Sequence, residues 1–401
     1  MRLAVVSPFL DRTHGTERAL SEVLVRLAKN YPCEIHLFAQ KVTDLPVISL
    51  QESPPPHRGA IVWHPVKPFR GPHLLQFFVW YFRNRKERQK SARRSGKPFD
   101  LVFSPSINCS DADAIIVHAL FHRLSLLSKQ DRSSAGVLRK LHRNIYYRLL
   151  TFLENRIYTN PSVALAAVSP RTKSDIAKFF QRTDVQIIPN AVDTEVFSSQ
   201  TRQVYRSAAR QNLQFAPDDI VLLLIGNDWT VKGLPTILQT MRQIQRRNLR
   251  LLVVGADGPA PFQKIAASLE IQQFCRWEQP SSDVLRFFAA ADIYVSPSLE
   301  DSFGMPAAEA MACGLPVITS SRAGISAFVK DGIDAFVQKN PLDSAELARL
   351  ITALSEDATL RQRVGAAAEV KAQNWTWDKN AAQVWQFLNS ALAAKTSTHK
   401  I

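Results

Sequence analysis

Short apolar runs alternate along the whole chain with segments in which apolar residues recur every three or four positions. The first run, residues 3–9, precedes residues 17–29, where apolar side chains fall at i, i+3, i+4 and i+7 from Leu20. Further strand-like runs follow at 34–38, 60–63, 101–103, 114–117, 163–168 and 185–188. Alternating strands and helices predict parallel sheets with helices on both faces, an α/β fold.

The alternation occurs in two series. Residues 198–219 are polar, have no strong period and contain no glycine, and we place a domain boundary at residue 198. From residue 220 the pattern restarts, with strand-like runs at 220–226, 249–255, 292–298 and 315–320. A chain of 401 residues has room for two domains of ordinary size, so we expect two sheet-and-helix domains.

The charge of the chain is unevenly distributed. Residues 1–200 contain 29 basic and 16 acidic side chains, a net charge of +13, whereas residues 201–401 contain 21 and 19, a net charge of +2. We therefore expect the first half to face an anionic partner. A nucleic-acid-binding protein is the alternative that the overall basicity suggests, but no nucleic-acid-reading motif accompanies it, and we expect no nucleic-acid partner.

Cysteine usage and hydropathy indicate the compartment. The four cysteines are too far apart for CxxC pairs, which argues against a zinc site and against a disulfide framework. No apolar run reaches the length of a membrane span, and the N-terminal residues lack the pattern of a signal peptide. We expect a cytoplasmic protein.

The segment with the most chemical information is residues 297–320, PSLEDSFGMPAAEAMACGLPVITS. A strand ends there, a loop carries Glu300 and Asp301, Gly304 precedes a helix, and Glu309 lies inside that helix. Carboxylates at the carboxyl end of a strand, beside a helix N-terminus, lie where open α/β sheets bind ligands. Backbone N–H groups near Gly304 are available there as donors to hydroxyl groups or anionic oxygens.

This segment resembles the E-x7-E signature of retaining GT-B glycosyltransferases of family 4, present here as Asp301-x7-Glu309. Six further stretches resemble the same family in the expected order: HGTERALSEVLVRLA (14–28), AVSPRTKSDI (167–176), IIPNAVDTEVF (187–197), GNDWTVKG (226–233), VVGADGP (253–259) and WTWD (375–378). The resemblance covers nearly the whole chain and is weakest across residues 40–110. It implies two Rossmann-like domains facing each other across a cleft.

The resemblance also implies a domain plan and a reaction. Residues 1–197 would bind the acceptor, residues 198–374 would bind a nucleotide sugar, and residues 375–401 would form a helix that packs back across the junction. The enzyme would move a sugar from a UDP-sugar or GDP-sugar to a glycan or lipid-linked acceptor of the cell envelope, without a metal or other cofactor. Its catalytic residues would be His118, close to the reacting sugar carbon, and Asp301, close to the transferred sugar.

The remaining donor-binding residues follow from the same motifs. Lys232 would hold the pyrophosphate, and Glu309 would accept hydrogen bonds from the ribose hydroxyls. Gly15 would lie in the loop that approaches the phosphates, and the turn Ser302, Phe303, Gly304 and Met305 would complete the donor site. Two departures from the family stand out: residues 226–231 lack the usual arginine, and Asp301 replaces the usual glutamate. A GT-B protein without transferase activity is the alternative that these departures suggest.

Two other features have competing interpretations. Asp111-x-Asp113 has the spacing of a metal-binding DxD motif, but Asp113 is explained more simply as the residue that leads into a strand, and we expect no metal site. Residues 74–82 are apolar and largely aromatic, and residues 83–94 are basic. This segment suits either an anionic membrane surface, which would make the protein peripheral at the inner face of the cytoplasmic membrane, or a helix that covers the sheet and ends in a solvated basic tip.

Overall fold

The computed structural model of the protein describes residues 1–11, 15–49, 60–130 and 137–398. The chain divides into two compact units. The first comprises Met1–Asn190 together with Trp377–Ile401, and the second comprises Ala191–Thr376. The boundaries predicted at 197/198 and 374/375 lie seven and two residues away from these divisions. Both units combine parallel sheet with helices, so the predicted α/β class is confirmed.

The first unit contains an eight-stranded parallel sheet with the strand order β10-β9-β8-β7-β1-β3-β6-β5, and a separate pair, β2 and β4. The strands are β1 (Arg2–Val6), β2 (Phe9–Leu10), β3 (Glu34–Ala39), β4 (Lys41–Val42), β5 (Ile48–Ser49), β6 (Ile61–Pro65), β7 (Leu101–Ser104), β8 (Ala114–Val117), β9 (Ala164–Ala167) and β10 (Gln186–Ile187). Its first helices are α1 (Gly15–Asn30), α2 (His73–Ser95), α3 (Phe121–Gln130), α4 (Val137–Tyr158) and α5 (Pro170–Phe180).

The second unit contains a six-stranded parallel sheet with the order β13-β12-β11-β14-β15-β16. Its strands are β11 (Ile220–Ile225), β12 (Leu249–Val254), β13 (Cys275–Glu278), β14 (Ile293–Ser296), β15 (Val317–Ser320) and β16 (Phe336–Gln338). Its helices are α6 (Ser199–Asn212), α7 (Leu234–Ile244), α8 (Ala260–Ser268), α9 (Leu285–Ala290), α10 (Met305–Ala312), α11 (Ser344–Glu356) and α12 (Ala358–Ala372). The last helix of the chain is α13 (Trp377–Thr398).

The six strands of the second unit follow the Rossmann order 3-2-1-4-5-6 when they are numbered along the chain. The sequence explains why they are buried, because β11 reads IVLLLI and β14 reads IYVS, near-continuous apolar runs of the kind that parallel sheets need on both faces. The strand order reverses between β11 and β14. Ligands of open α/β sheets bind at such a reversal, outside the carboxyl ends of the strands.

Helix α6 lies within residues 198–219, the stretch that is polar and has no strong period in the sequence. Ser198 and Thr201 form a capping box, in which each side chain accepts a hydrogen bond from the backbone N–H of the other. The inward face of α6 carries arginines at four-residue spacing, Arg202, Arg206 and Arg210. They donate to backbone carbonyls at the end of α9, and Arg206 and Arg210 also pair with Asp292. Because arginines occupy the inward positions of α6, apolar residues do not recur at helical spacing in its sequence.

Helix α13 belongs to the first unit, where it packs against α1. The rings of Tyr31 and Trp385 stack with centroids 5.0 Å apart, and Arg26 pairs with Asp378 at 2.9 Å. At the other end of the helix, Lys395 Nζ donates to Asp113 Oδ2 at 2.9 Å. Polar and aromatic contacts therefore hold α13 to the first unit along most of its length.

Candidate active site

The two strands that flank the order reversal in the second unit each lead into a predicted site residue. Lys232 follows β11 and precedes α7, and Asp301 follows β14 and precedes α10. Because β11 and β14 are hydrogen-bonded neighbours, their carboxyl ends meet at one edge of the sheet. The candidate donor site therefore lies where an open α/β sheet binds its ligand.

The structure joins Lys232 and Asp301 in an ion pair, with Nζ 2.5 Å from Oδ2. Both side chains are largely withdrawn from solvent, with exposed fractions of 18% and 16%. An ammonium group carries three donors, so Lys232 can keep Asp301 and still donate to an anionic ligand. Two residues predicted from separate motifs are thus brought together into one charged pair.

Two glycines allow Lys232 to reach this position. Gly226 has a φ of 148°, and a Cβ on it would lie 3.1 Å from Cε of Lys232. Gly233 has a φ of 83°, and a Cβ on it would lie 2.2 Å from the carbonyl oxygen of Pro297. The backbone of Gly233 thus packs directly on the loop that follows β14, which only a residue without a side chain permits.

The loop that lacks the family's arginine is held by a carboxylate from the next strand. Asp257, after β12, accepts hydrogen bonds from the backbone N–H groups of Asp228 at 3.0 Å and of Trp229 at 2.6 Å. The ring of Trp229 is buried and packs against Phe262 and Trp277. These contacts fix the backbone that leads to Lys232.

The Asp301 loop is bound on both sides by backbone hydrogen bonds. Leu299 N–H donates to Val231 O at 2.7 Å, which ties the loop to the segment before Lys232. Gly324 N–H donates to Asp301 O at 2.8 Å, and the second carboxylate oxygen of Asp301 accepts from Phe303 N–H at 3.3 Å. The carboxylate is therefore held in place before any ligand arrives.

The residues of the turn into α10 differ in how far they are buried. Gly304 is the N-cap of α10, with a φ of 101°, and Ser302 on the loop before it is half-buried. The ring of Phe303 is 2% exposed and packs edge-on against Trp375, with a second contact to Phe328. This placement argues against a donor contact by the Phe303 ring and gives it the role of anchoring the loop. Met305 is likewise buried, as the first residue of α10.

The two carboxylates of the Asp301-x7-Glu309 motif lie in one neighbourhood. Glu309 is on α10 and is 3% exposed. Burial raises the pKa of Tyr294 on β14 well above its usual range, and the negative charges of Asp301 and Glu309 raise it further. Both carboxylates therefore lie close enough to the buried Tyr294 hydroxyl to disfavour its ionisation.

In the first unit, Gly15 is the first residue of α1 and is exposed, and His14 lies outside the described residues. His118 follows β8, and its Nδ1 is buried without a hydrogen-bond partner among the described residues. Burial lowers the pKa of His118 to about 4, so the imidazole is neutral at physiological pH. The nearby His122 instead binds Glu154, with Nδ1 2.6 Å from Oε2, which gives it a structural role.

The two aspartates of the DxD-like spacing serve different partners. Asp111 pairs with Arg88 on α2 at 2.7 Å, and Asp113 accepts from Lys395 and from Val102 N–H. Among the residues that the structure describes, no cluster of three or more His, Cys, Asp or Glu side chains could hold a metal ion.

Helix α2, which contains residues 74–94, has a buried side and an exposed side. Trp80, Tyr81 and Arg88 are buried against the first unit, whereas Phe82 is 63% exposed. No helix within the described ranges is both long enough and apolar enough to cross a bilayer.

Comparison with solved structures identifies the architecture. The crystal structure of WaaG, a glycosyltransferase involved in lipopolysaccharide biosynthesis, superposes with a TM-score of 0.74 over 95% of this chain and 99% of that chain, at 18% identity. Anabaena Alr3699/HepE in complex with UDP-glucose superposes with a TM-score of 0.71 over 97% of this chain and 100% of that chain, at 16% identity. The protein has the GT-B glycosyltransferase fold, as predicted.

Comparison of sequences finds a family match in the second unit. Residues 206–371 match the family model described as glycosyl transferases group 1. D-inositol 3-phosphate glycosyltransferase of Streptomyces scabiei is 30% identical over 201 residues, which is 47% of this chain and 45% of the relative. The chain thus matches less than half of the length of that protein. The family match includes Lys232, Asp301 and Glu309.

Proposed function

We propose that the protein is a retaining, metal-independent family 4 glycosyltransferase. It transfers a sugar from a UDP-sugar or GDP-sugar to a glycan or lipid-linked acceptor of the cell envelope. The observation that carries the proposal is the Lys232–Asp301 ion pair at the order reversal of a Rossmann-type sheet, with Glu309 buried on the adjoining helix. The Anabaena neighbour, whose structure contains UDP-glucose, supports a nucleotide-sugar donor.

Each donor-site residue has a role that its chemistry supports. The ammonium group of Lys232 donates to the diphosphate oxygens, and the carboxylate of Glu309 accepts hydrogen bonds from the ribose hydroxyls. Asp301, held in place by Lys232 and by Phe303 N–H, accepts hydrogen bonds from the hydroxyls of the sugar. The first-turn N–H groups of α10 add a positive end of a helix dipole to the site.

The chemistry of transfer requires stabilisation of a leaving group. The bond between the anomeric carbon and the diphosphate oxygen breaks, and a bond from that carbon to the acceptor oxygen forms on the same face. The electron pair of the broken bond leaves with the nucleoside diphosphate, and the proton of the acceptor hydroxyl passes to the departing diphosphate oxygen. Lys232 and the α10 N-terminus stabilise the developing negative charge, which is the task that preorganised donors perform in other enzymes. Neutral His118 serves the reacting centre as a hydrogen-bonding group.

The acceptor would reach the first unit at a membrane surface. Helices α2 and α4 share one core through Trp80 and Leu150, and their outer faces expose large apolar side chains: Leu75, Phe82, Leu141, Ile145 and Phe152. Exposed basic residues on α2 accompany them: Arg85, Lys86, Arg93 and Arg94. Apolar and basic side chains together suit the headgroup region of an anionic bilayer, which supports a peripheral location at the cytoplasmic face.

The test of transfer uses the full chain, a panel of UDP-sugars and GDP-sugars, and an extract of envelope lipids as acceptor. We expect release of one nucleotide and a glycosylated lipid whose new linkage keeps the anomeric configuration of the donor. Lys232→Met should lower kcat/KM by roughly tenfold or more, because a charge-assisted hydrogen bond to phosphate is lost. Lys264→Met, which removes an exposed lysine of the same unit, is the matched control and should behave like wild type.

Two results would contradict this function. Absence of transfer and of donor hydrolysis with every nucleotide sugar, in a protein that still binds them, would favour the inactive GT-B partner suggested by the missing arginine. An inverted anomeric configuration in the product would refute the retaining mechanism alone.

Membrane attachment is tested separately, by co-sedimentation with vesicles of anionic or neutral lipid. Wild-type protein should bind anionic vesicles at low salt and be released at high salt, because exposed charges are screened over about 8 to 10 Å near physiological ionic strength. Phe82→Glu and Phe152→Glu should weaken binding. Val370→Glu, on an exposed position of α12, should not. Equal binding to neutral vesicles, or binding unaffected by Phe82→Glu and Phe152→Glu, would contradict the proposed surface.

A further inference from the structure

A small, partly open cavity lies in the first unit, beside the end of β8. Its volume is about 10 Å3, the space that one water molecule needs. Most of its wall is apolar, formed by the inward face of α1 from Ala19 to Val23 and by side chains of the strands below. Among the described residues, the polar side chains in the wall are His118, Asn190 and Asn380, and of these only His118 is ionisable.

Two of these lining side chains each carry a buried, unpaired polar atom. Nδ1 of His118 and Oδ1 of Asn380 are shielded from solvent, and neither has a hydrogen-bond partner among the described residues. Asn380 itself is 5% exposed. Buried polar atoms in folded proteins are nearly always paired, with protein groups or with internal water.

The donors and acceptors define what can pair with both atoms. Nδ2 of Asn380 donates to Pro189 O at 2.7 Å, so the other amide atom, Oδ1, is the acceptor left facing elsewhere. Oδ1 needs a donor, whereas Nδ1 of a neutral histidine either donates or accepts according to the tautomer. A water molecule satisfies both, because it donates one hydrogen to Oδ1 and pairs with Nδ1 in either tautomer.

We propose that one internal water occupies this cavity and bridges Nδ1 of His118 to Oδ1 of Asn380, which makes Asn380 a positioning residue for the His118 imidazole. The positioning role rests on the proposed function of His118, whereas the bridge itself does not. The bridge connects the end of β8 to the first turns of α13, so the orientation of the ring depends on the docking of the last helix. Docking of α13 onto the first unit would then help to orient the imidazole ring of His118.

The bridge is tested without turnover, by nitrogen-15 NMR of labelled histidine in the full chain across a pH titration. Burial alone accounts for the low pKa of His118. Asn380→Asp should raise that pKa, since a carboxylate at the far side of one water stabilises the imidazolium. Asn380→Leu should fill the cavity, expel the water and shift the Nδ1 resonance. Asn389→Leu, an exposed position of the same helix, should leave the resonances of His118 unchanged.

Kinetics tests the positioning role. In Asn380→Leu, kcat should fall on the order of ten- to a hundredfold, as expected when a reacting group is misplaced, while KM for the donor changes little. Asn380→Asp should move the acidic limb of the kcat profile in parallel with the NMR titration, which a purely structural residue would not do.

A high-resolution crystal structure of the wild-type protein is the second test, and it does not depend on how the variants fold. Density for one water within hydrogen-bond distance of both atoms would support the bridge. Its absence, or His118 resonances that match wild type in both Asn380 variants, would overturn it. If wild-type enzyme is inactive but the His118 resonances shift in the Asn380 variants as expected, the proposed function is refuted and the bridge stands. If the enzyme is active but these resonances do not shift, the bridge is refuted and the proposed function stands.

Discussion

The close packing of Gly233 on the loop after β14 can be tested by adding a single methyl group at this position. Gly233→Ala places a Cβ 2.2 Å from Pro297 O and 2.7 Å from Pro297 Cγ, at a backbone φ of 83°. A left-handed backbone costs a residue with a Cβ about 1 to 2 kcal/mol, and overpacking against fixed backbone costs about 1 to 3 kcal/mol. The unfolding free energy of the second unit should therefore fall by about 2 to 5 kcal/mol.

The measurement is denaturant unfolding of the full chain, read by tryptophan fluorescence, with Trp229 and Trp277 as reporters in the second unit. Gly258→Ala is the matched control, because its Cβ would meet nothing within 4 Å, and its effect should stay within about 0.5 kcal/mol. The same clash should push the segment before α7 away from Asp301 and weaken nucleotide-sugar binding. If Gly233→Ala unfolds like wild type, the close packing of the two loops is refuted.

Three further predictions concern groups outside the ion pair. Burial lowers the pKa of His64 to about 3, from an ordinary value near 6.5. As the pH falls, the unfolded chain therefore takes up a proton on this residue before the folded chain does. The free energy of unfolding should consequently fall by roughly 2 kcal/mol from pH 7 to pH 5. His64→Gln should flatten that dependence in urea unfolding at each pH, and an unchanged slope would contradict it. Asp111→Asn should cost about 1 to 3 kcal/mol in thermal unfolding, because the buried Arg88 loses its carboxylate; a neutral result would refute that pairing. Phe303→Ala should cost about 3 to 5 kcal/mol and Phe303→Leu clearly less, whereas equal losses would argue against a packing role.

The sequence pattern was sufficient for many local elements of the fold, although it missed the short strands β13 and β16. Apolar runs such as residues 220–226 became buried strands, and the turn at Gly304 became the start of a helix. Each of Lys232 and Asp301 was correctly predicted to follow a strand. Their ion pair could not be predicted from the pattern, because it depends on β11 and β14 being neighbours, and strand order is set by packing over long sequence separations.

The misses have specific physical causes. Helix α6 lacks an apolar period because its inward stripe consists of arginines that bind carbonyl oxygens, and the available signal was the Ser198 and Thr201 capping pair. The inward packing of the Phe303 ring against Trp375 was not predicted, because periodicity does not reveal which side of an irregular loop a ring faces. Asn380 gave no signal, since its significance arises from the cavity that it shares with His118.

The central claim is that the carboxylates of the Asp301-x7-Glu309 motif bind the two ends of a nucleotide sugar. Isothermal titration calorimetry of the full chain with a nucleotide sugar and with the bare nucleoside diphosphate tests it most directly. Glu309→Gln should weaken both ligands by roughly tenfold or more, because its partner is the ribose, and Asp301→Asn should weaken only the nucleotide sugar. The account would be contradicted if both variants bound both ligands as tightly as wild type does. It would also be contradicted if wild type bound no UDP or GDP compound.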